Sequence, residues 1–599
     1  MWYWDDVISP DDKKYIRRMS IGEMVRRVAP LFSSHRKFMI LAIIFMLMSV
    51  GVDLAGPLVL RYLIDVAIPN GSTMSIVWMG IAYSAIFMGG MVFTYLQFVV
   101  LTRIGLSVIT DLKTHLFTHI LTLSAAFFDR NPPGRLMARV ESDAERIRML
   151  FAEVAVALLR SFLYLVGAFL ILMAYDIRLT LVLVGLLTPV FVGAFFVFRY
   201  VRTAYGKIRH LYARISSFLA EYVQGIPILQ VFGQTRWAQR KLQHHNQAKF
   251  KAELGVAFVE YGYFGLIWTM EVVAVILILW MGFRNILGIG MTIGKLVLFV
   301  EYTRHSFWPI VMFTEQLNFI QRALASTDRV FSILDTPSKT PDYPGARDTI
   351  PEDWQELAFE NVSFAYEGGP QALDSISFTL RRGERVALAG ISGGGKSTIT
   401  SLLLRFYEPT SGRITLDGAD IREFKQRSWR RKIGLVLQDI HLFPGTLGAN
   451  LRALADDIPD EALHRAVQTI KADEVVSRLP QGLDTPLAEG GQNLSMGERQ
   501  LISFSRALVR DPDILVLDEA TSSVDPGTER RIQESLDRMM AGRTSLVIAH
   551  RLSTIIHADR ILVVHKGRLV EEGTHRELYR RGGLYRDLFE LQFRTQEVA

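Results

Sequence analysis

The sequence predicts two unlike parts: an all-α domain of six membrane-spanning helices with long helical extensions out of the bilayer, then an α/β domain built on a parallel sheet. Three observations lead there. The chain has 599 residues and is 50 % hydrophobic, with mean hydropathy +0.22, too long for one ordinary domain and too apolar to lie wholly in water. Its long, nearly uncharged runs all precede about Asp335. Beyond that point short β-friendly runs alternate with charge and glycine, as in a buried sheet.

Met1 to Arg18 mixes aromatic, acidic and basic residues without an apolar centre, so it does not read as a cleavable signal peptide. Ile21 to Phe32 (IGEMVRRVAPLF) is too short and too charged to cross a bilayer, and reads as an amphipathic helix lying in the interface. Crossing takes about 20 apolar residues as a helix, because lipid offers backbone groups no partner. Six stretches qualify: Met39 to Val66, Ile76 to Val100, Val154 to Tyr175, Leu179 to Tyr200, Val256 to Phe283 and Ile293 to Leu317, the last the least apolar.

Basic residues set the orientation. Lys13, Lys14, Arg17, Arg18, Arg26, Arg27, Arg36 and Lys37 precede the first span, which keeps the N-terminus inside. Ala67 to Thr73 has no basic residue and suits an outer hairpin, whereas Arg103 to Leu150 and Val201 to Lys251 are basic and belong in the cytoplasm. Both are too long for turns and have helical periodicity, so the membrane helices are expected to continue beyond the bilayer. The net charge of +7 serves topology, and no nucleic-acid partner is expected. The absence of cysteine excludes disulfides, thiolate metal sites and cysteine nucleophiles.

Ionisable residues within the spans are expensive unless they face protein or water. Asp53 and Glu271, nearest mid-span, either line a cavity that prefers cationic amphiphiles or form structural pairs. Trp268, Phe307, Trp308 and Phe313 are candidates for an aromatic wall, with ordinary packing as the alternative.

From Asp335 to Pro351 prolines and glycine interrupt any helix and mark a boundary. The predicted division is a membrane domain over 1–334, a linker over 335–356 and a second domain over 357–599. In the latter, the strand Arg385 to Ala389 leads into Gly390 to Ser397, GISGGGKS, which fits the phosphate loop G-x-x-x-x-G-K-[ST] ahead of a helix. Its backbone N–H groups, with the helix start, suit phosphate oxygens. Lys396 neutralises the β and γ phosphates, and Ser397 holds Mg²⁺. Asp513 to Glu519 (DILVLDE) is a buried strand ending in two carboxylates, Asp518 to organise Mg²⁺ and Glu519 to act as general base. Thr544 to His550 is another buried strand, delivering a histidine to the same edge.

The order and spacing of these motifs resemble an ATP-binding cassette (ABC) domain, and nearly the whole chain resembles a bacterial multidrug-exporter half-transporter. The resemblance implies an α/β P-loop NTPase domain of ABC type and two cytoplasmic coupling loops, at Phe127 to Gly134 and Glu221 to Gly233. It assigns Tyr366 to adenine stacking, and Gly390, Ser392, Gly393, Gly394, Gly395, Lys396, Ser397 and Thr398 to ATP. It gives Gln438 (VLQD) to Mg²⁺ and catalysis, Asp518 to the metal, Glu519 and His550 to catalysis, and Asp525 to the dimer interface. Ser495 and Gly497 lie in the family signature, Leu494 to Gln500 (LSMGERQ), which closes over ATP held by the other subunit.

The usual signature is LSGGQ, and here Met496 and Glu498 depart from it. A carboxylate near a polyphosphate weakens the partner's site, while this chain's Lys396, Glu519 and His550 are intact. That combination favours a heterodimer of two half-transporters over a homodimer. The expected activity is ATP-driven export of a drug, lipid or similar amphiphile from a bacterial inner (cell) membrane, with both termini and the nucleotide domain cytoplasmic. A homodimeric lipid or peptide exporter, an ATP-gated channel and a soluble mechanical ATPase are the competing readings; six spans discriminate against the last.

Overall fold

The computed structural model describes residues 19–593 apart from 72, 288–290, 338–341, 454, 456, 519–525 and 549–554. By contacts the chain divides into two compact units, Met1–Thr122 with Asn131–Pro337, and Leu123–Arg130 with Ser338–Ala599.

The first unit is helical. Helix α1 (Ile21–Phe32) starts at Ser20, whose hydroxyl accepts the Glu23 N–H (3.2 Å), and buries Met24, Val28 and Phe32 at four-residue spacing. Then come α2 (Arg36–Tyr62), continued by a π-helical turn at Leu63–Ala67, and α3 (Thr73–Leu121). Helix α4 (Ala125–Arg130) belongs to the second unit. Helices α5 (Pro133–Ala138), α6 (Ala144–Met149) and α7 (Ala155–Tyr175) are strung together by π-helical turns at Arg139–Asp143 and Leu150–Val154. Next are α8 (Ile177–Gln224), α9 (Ile226–Val231), α10 (Thr235–Leu287) and α11 (Ile293–Leu334). At 49, 48 and 53 residues, α3, α8 and α10 are each about 75 Å long, more than twice a hydrocarbon core of about 30 Å. Their remaining turns stand outside it.

Among the described residues five segments are long and apolar enough to span: Ile21–Ala67, Thr73–Leu121, Pro133–Tyr175, Ile177–Gln224 and Thr235–Phe283. The sixth expected span falls in α11, which is long but does not reach that apolarity, carrying Lys295, Glu301 and Arg304. Its neighbours explain the tolerance: Leu298, Phe299, Tyr302, Phe307 and Ile310 are buried against Leu172, Leu183 and Ile278 from α7, α8 and α10. At most 22 % of any spanning window is buried within the chain, which leaves its apolar surface to lipid or a second chain.

Two carboxylates fasten α11 at its ends. Asp65 accepts from Thr292 Oγ1 (2.5 Å) and the Gly294 N–H (2.7 Å), joining the end of the first span to the start of α11. Asp143, buried in the Arg139–Asp143 turn, is gripped by Arg329 (2.6 and 2.7 Å), Arg139 (3.0 Å), Arg146 (3.1 Å) and Ser326 (3.0 Å).

The second unit is α/β. An antiparallel sheet orders β2 (Gln371–Arg381), β1 (Glu356–Ala365), β4 (Ser411–Leu416) and β5 (Ala419–Asp420). The larger sheet runs β12 (Arg568–Gly573), β11 (Arg560–His565), β3 (Arg385–Ala389), β10 (Thr544–Ile548), β9 (Ile514–Asp518) and β6 (Ile433–Val436), parallel except at β12. A short ribbon pairs β7 (Gly445–Thr446) with β8 (Pro486–Leu487). Alternate side chains of the parallel strands enter two cores. Val386, Leu388, Val516, Leu546 and Ile548 pack with Ile399 and Trp429, and Ala387, Leu515, Leu517 and Val547 with Ile502 and Phe504. Burial on both faces is why these strands read as unbroken apolar runs.

Candidate functional site

Parallel pairing forces the carboxyl ends of β3, β10, β9 and β6 onto one edge. Leu388 pairs with Ile548, Ile548 with Asp518 and Val436 with Leu517. The loop Gly390–Gly395, Asp518 and Gln438, two residues past β6, therefore share the edge where α/β sheets bind ligands.

The loop turns tightly. Gly390 has φ +147°, and a Cβ there would overlap the Val564 carbonyl; Gly395 has φ +109°, and its Cβ would lie 2.7 Å from Leu373 Cδ2. Helix α12 (Lys396–Leu403) starts at Gly395 with no side chain capping it, so its first N–H groups point at whatever occupies the loop. Lys396 Nζ donates to the carbonyls of Gly390 (2.8 Å) and Ile391 (3.1 Å) inside the loop. Burial pushes the Lys396 ammonium below its usual range, and the Asp518 charge opposes this. Ser392, Gly393 and Ser397 are exposed on the loop and first turn, and Thr398 is buried.

Tyr366 follows β1, with its hydroxyl 3.2 Å from Thr398 Oγ1. Its ring meets Tyr407 edge-on, centroids 5.2 Å apart, and Phe364 at 4.9 Å, and it is 37 % exposed. Tyr407 donates in turn to Asp129, and Arg130 pairs with Glu367 at 2.8 Å. Burial first, then the Asp129 carboxylate, push the Tyr407 phenol upward. All of these lie within the second unit. Asp129 and Arg130 fall in the coupling loop expected at Phe127 to Gly134, whereas their partners Tyr407 and Glu367 are not among the sequence candidates, because nothing local announces them.

Ser495 is the N-cap of the helix Met496–Leu508, accepting the Glu498 N–H (3.3 Å), while Glu498 Oε2 accepts from Ser495 N (2.9 Å). This is a capping box, legible as S-x-x-E but hidden when the segment is compared only with LSGGQ. Gly497 is buried in the first turn. Glu519, Asp525 and His550 lie outside the described residues.

Ser397, Asp518 and Gln438 offer hydroxyl, carboxylate and amide oxygens, the donor type a hard cation takes. Among the described residues no three His, Cys, Asp or Glu side chains gather as a metal cage. This donor set fits Mg²⁺, which takes one or two protein oxygens and completes its shell with phosphate and water.

In the membrane unit Asp53 and Glu271 are both paired. Arg160 Nη2 donates to Asp53 (2.9 Å) and to Ser49 (3.1 Å), and Arg304 stands 3.6 Å from Glu271. Phe307 is buried in the core, whereas Trp268, Trp308 and Phe313 are exposed, so the four do not form one wall.

Comparison with known proteins agrees with this site. The family profile "ABC transporter transmembrane region" matches residues 39–310, and "ABC transporter" matches residues 373–522. The chain is 36 % identical over 515 residues to an ATP-dependent lipid A-core flippase of Desulfotalea psychrophila, covering 85 % of this chain and 88 % of the flippase. It is 35 % identical over 514 residues to the Bacillus subtilis protein named "Probable multidrug resistance ABC transporter ATP-binding/permease protein YheH", covering 85 % and 76 %. A solved bacterial Atm1-family ABC exporter with ATP bound superposes with TM-score 0.78 at 27 % identity, over 94 % of this chain and all of that one. With a nucleotide loop at the edge of a parallel sheet, apolar spanning helices ahead of it and relatives matching both, the chain belongs to the ABC transporter family as an exporter half-transporter that couples ATP hydrolysis to transport.

Proposed function

We propose that the chain exports a hydrophobic or amphipathic substrate, a drug or lipid, by alternating access, as one half of a dimer in a bacterial inner membrane with its nucleotide domain and termini cytoplasmic. The proposed division remains 1–334, 335–356 and 357–599. The observation that carries the reading is the shared sheet edge of the glycine loop, Lys396 and Asp518, in a chain whose other unit is built of spanning helices. The named activities of the flippase and multidrug relatives support the substrate class.

In this reading Tyr366 stacks on adenine, and Gly390, Ser392, Gly393, Gly394, Gly395, Lys396, Ser397 and Thr398 hold the phosphates. Ser397, Gln438 and Asp518 hold Mg²⁺, which when bound offsets phosphate charge. Glu519 accepts a proton from water as the water oxygen bonds to the γ-phosphorus and the bond to the β-phosphate oxygen breaks. His550 contacts the γ-phosphate. Ser495, Gly497 and Asp525 serve the dimer interface, so that nucleotide closure tilts the bundles and product release lets them part. A heterodimer is favoured, because Glu498 brings a carboxylate to the signature while the chain's own catalytic set is complete.

Uptake of a dye into inverted vesicles tests the pump. Wild type should accumulate dye against its gradient with ATP; Lys396→Ala should not, and Glu519→Gln should bind ATP and close without turnover. Uphill transport by Lys396→Ala at the wild-type rate overturns the reading. Robust drug-stimulated turnover by the purified chain alone would establish the homodimer instead.

A further inference from the structure

Helices α1, α2 and α3 and the start of α7 enclose a groove of about 810 Å³, within the roughly 300–1,000 Å³ of small-molecule sites. Its walls are almost wholly apolar. At one end stand Arg26 and Arg36, exposed, and neither forms an ion pair with an acidic side chain among the described residues. From there the groove follows one face of α2 through Met39, Ile43 and Met46. That run is about 15 Å long at 1.5 Å per residue, half of a hydrocarbon core of about 30 Å, which is the depth of one leaflet.

One polar side chain, Gln97, lines the groove at its far end. Ser49 and Thr94 are hydrogen-bonded at 2.8 Å, which sets the register of α2 against α3 and brings the buried Gln97 level with Met46. The lining therefore passes from cationic mouth to apolar wall to amide floor over one leaflet's thickness.

We propose that this groove binds an anionic phospholipid of the surrounding bilayer, headgroup phosphate on Arg26 and Arg36 and one acyl tail along α2 as far as Gln97. Charge complementarity selects the head, and the groove's length and apolarity select the tail. A cationic amphiphile is repelled by the two guanidinium groups, and a zwitterionic phospholipid offers them the same phosphate but offsets it with its own ammonium, so it gains less than an anionic one. The site is separate from the nucleotide edge and stands whether or not the exported substrate is a lipid.

The test uses the full chain, assembled with its partner where it has one, in nanodiscs carrying a photoactivatable, diazirine-tailed phosphatidylglycerol or its phosphatidylcholine counterpart. After irradiation the labelled peptides are mapped. Phosphatidylglycerol should label the α2 peptide around Met39 to Met46 on the order of tenfold more than phosphatidylcholine. Arg26→Gln with Arg36→Gln should abolish that preference, and Met46→Trp, which fills the groove with both arginines in place, should abolish the label. Equal labelling by the two headgroups in wild type overturns the proposal without reliance on any variant folding. So does a preference that survives loss of both arginines, or an α2 peptide that takes no label because a helix of a second copy fills the groove.

Discussion

Glu498 Oε2 lies 2.9 Å from both the backbone nitrogen and the hydroxyl oxygen of Ser495. The residue that departs from the family signature thus holds the serine that keeps to it, and in the proposed dimer that serine faces the other subunit's ATP.

Glu498→Gln preserves the capping geometry, since glutamine also serves at this position of a capping box, and removes a negative charge from the path of a polyphosphate. The expected outcome is a KM for ATP lower by roughly fivefold, about 1 kcal/mol, with the gain shrinking at high salt. Steady-state ATPase measurements at low and high ionic strength check this. An unchanged KM at both would show that the carboxylate does not act on nucleotide.

Asp129 and Tyr407 join α4 to the aromatic pair that borders Thr398. Asp129→Asn and Tyr407→Phe should each reduce substrate-stimulated turnover more than basal turnover. The double variant should be little worse than the worse single one, with a coupling of about 0.5–3 kcal/mol. Strictly additive losses in the cycle would mean that the two side chains act separately.

Asp143 balances three arginines, Arg139, Arg146 and Arg329, from inside the protein. Removing one partner of a buried ion cluster typically costs about 3–5 kcal/mol, because the remaining charges stay desolvated. Asp143→Asn should therefore lower the thermal midpoint of the detergent-solubilised protein by several degrees. A midpoint equal to wild type would place the cluster's energetic weight elsewhere.

Asp328, beyond the predicted sixth span, is 7 % exposed and its Oδ2 has no hydrogen-bond partner among the described residues. Burial, then the Glu23 charge, push its carboxyl up to about 6, against the pull of Arg329 and Arg27. A folded-state value above the unfolded one means that the native state binds the proton more tightly, so stability falls as pH rises through this window and the penalty is complete above about 6. Asp328→Asn should stabilise the protein at pH 8 by on the order of 2 kcal/mol, read as a higher thermal midpoint. The difference should close between pH 6 and pH 4. A variant no more stable than wild type at pH 8 would refute the assignment.

Much was legible locally. Helical periodicity marked Ile21 to Phe32 and the long extensions, and the apolar runs at Arg385–Ala389, Ile514–Asp518 and Thr544–Ile548 are strands because both sheet faces bury them. The sixth span was harder. Apolarity reports contact with lipid, and one face of α11 is buried among other helices, while Lys295 and Glu301 are half-buried and the exposed Arg304 stands beside Glu271. Asp53 and Glu271 remained open for a related reason: a charge in a span must be compensated, but its partner, Arg160 or Arg304, lies on another helix.

Glycines, a lysine, carboxylates and a signature at family spacing decided by themselves that this chain handles nucleotide, since backbone conformation and donor chemistry are local properties. Only the tertiary structure decided which groups meet: parallel pairing that levels Leu388 with Ile548 and Ile548 with Asp518, Tyr407 donating to Asp129, and an arginine-mouthed groove formed where several helices pack together. Contacts across long loops depend on how whole elements bury their faces, and no short stretch of residues encodes that alone.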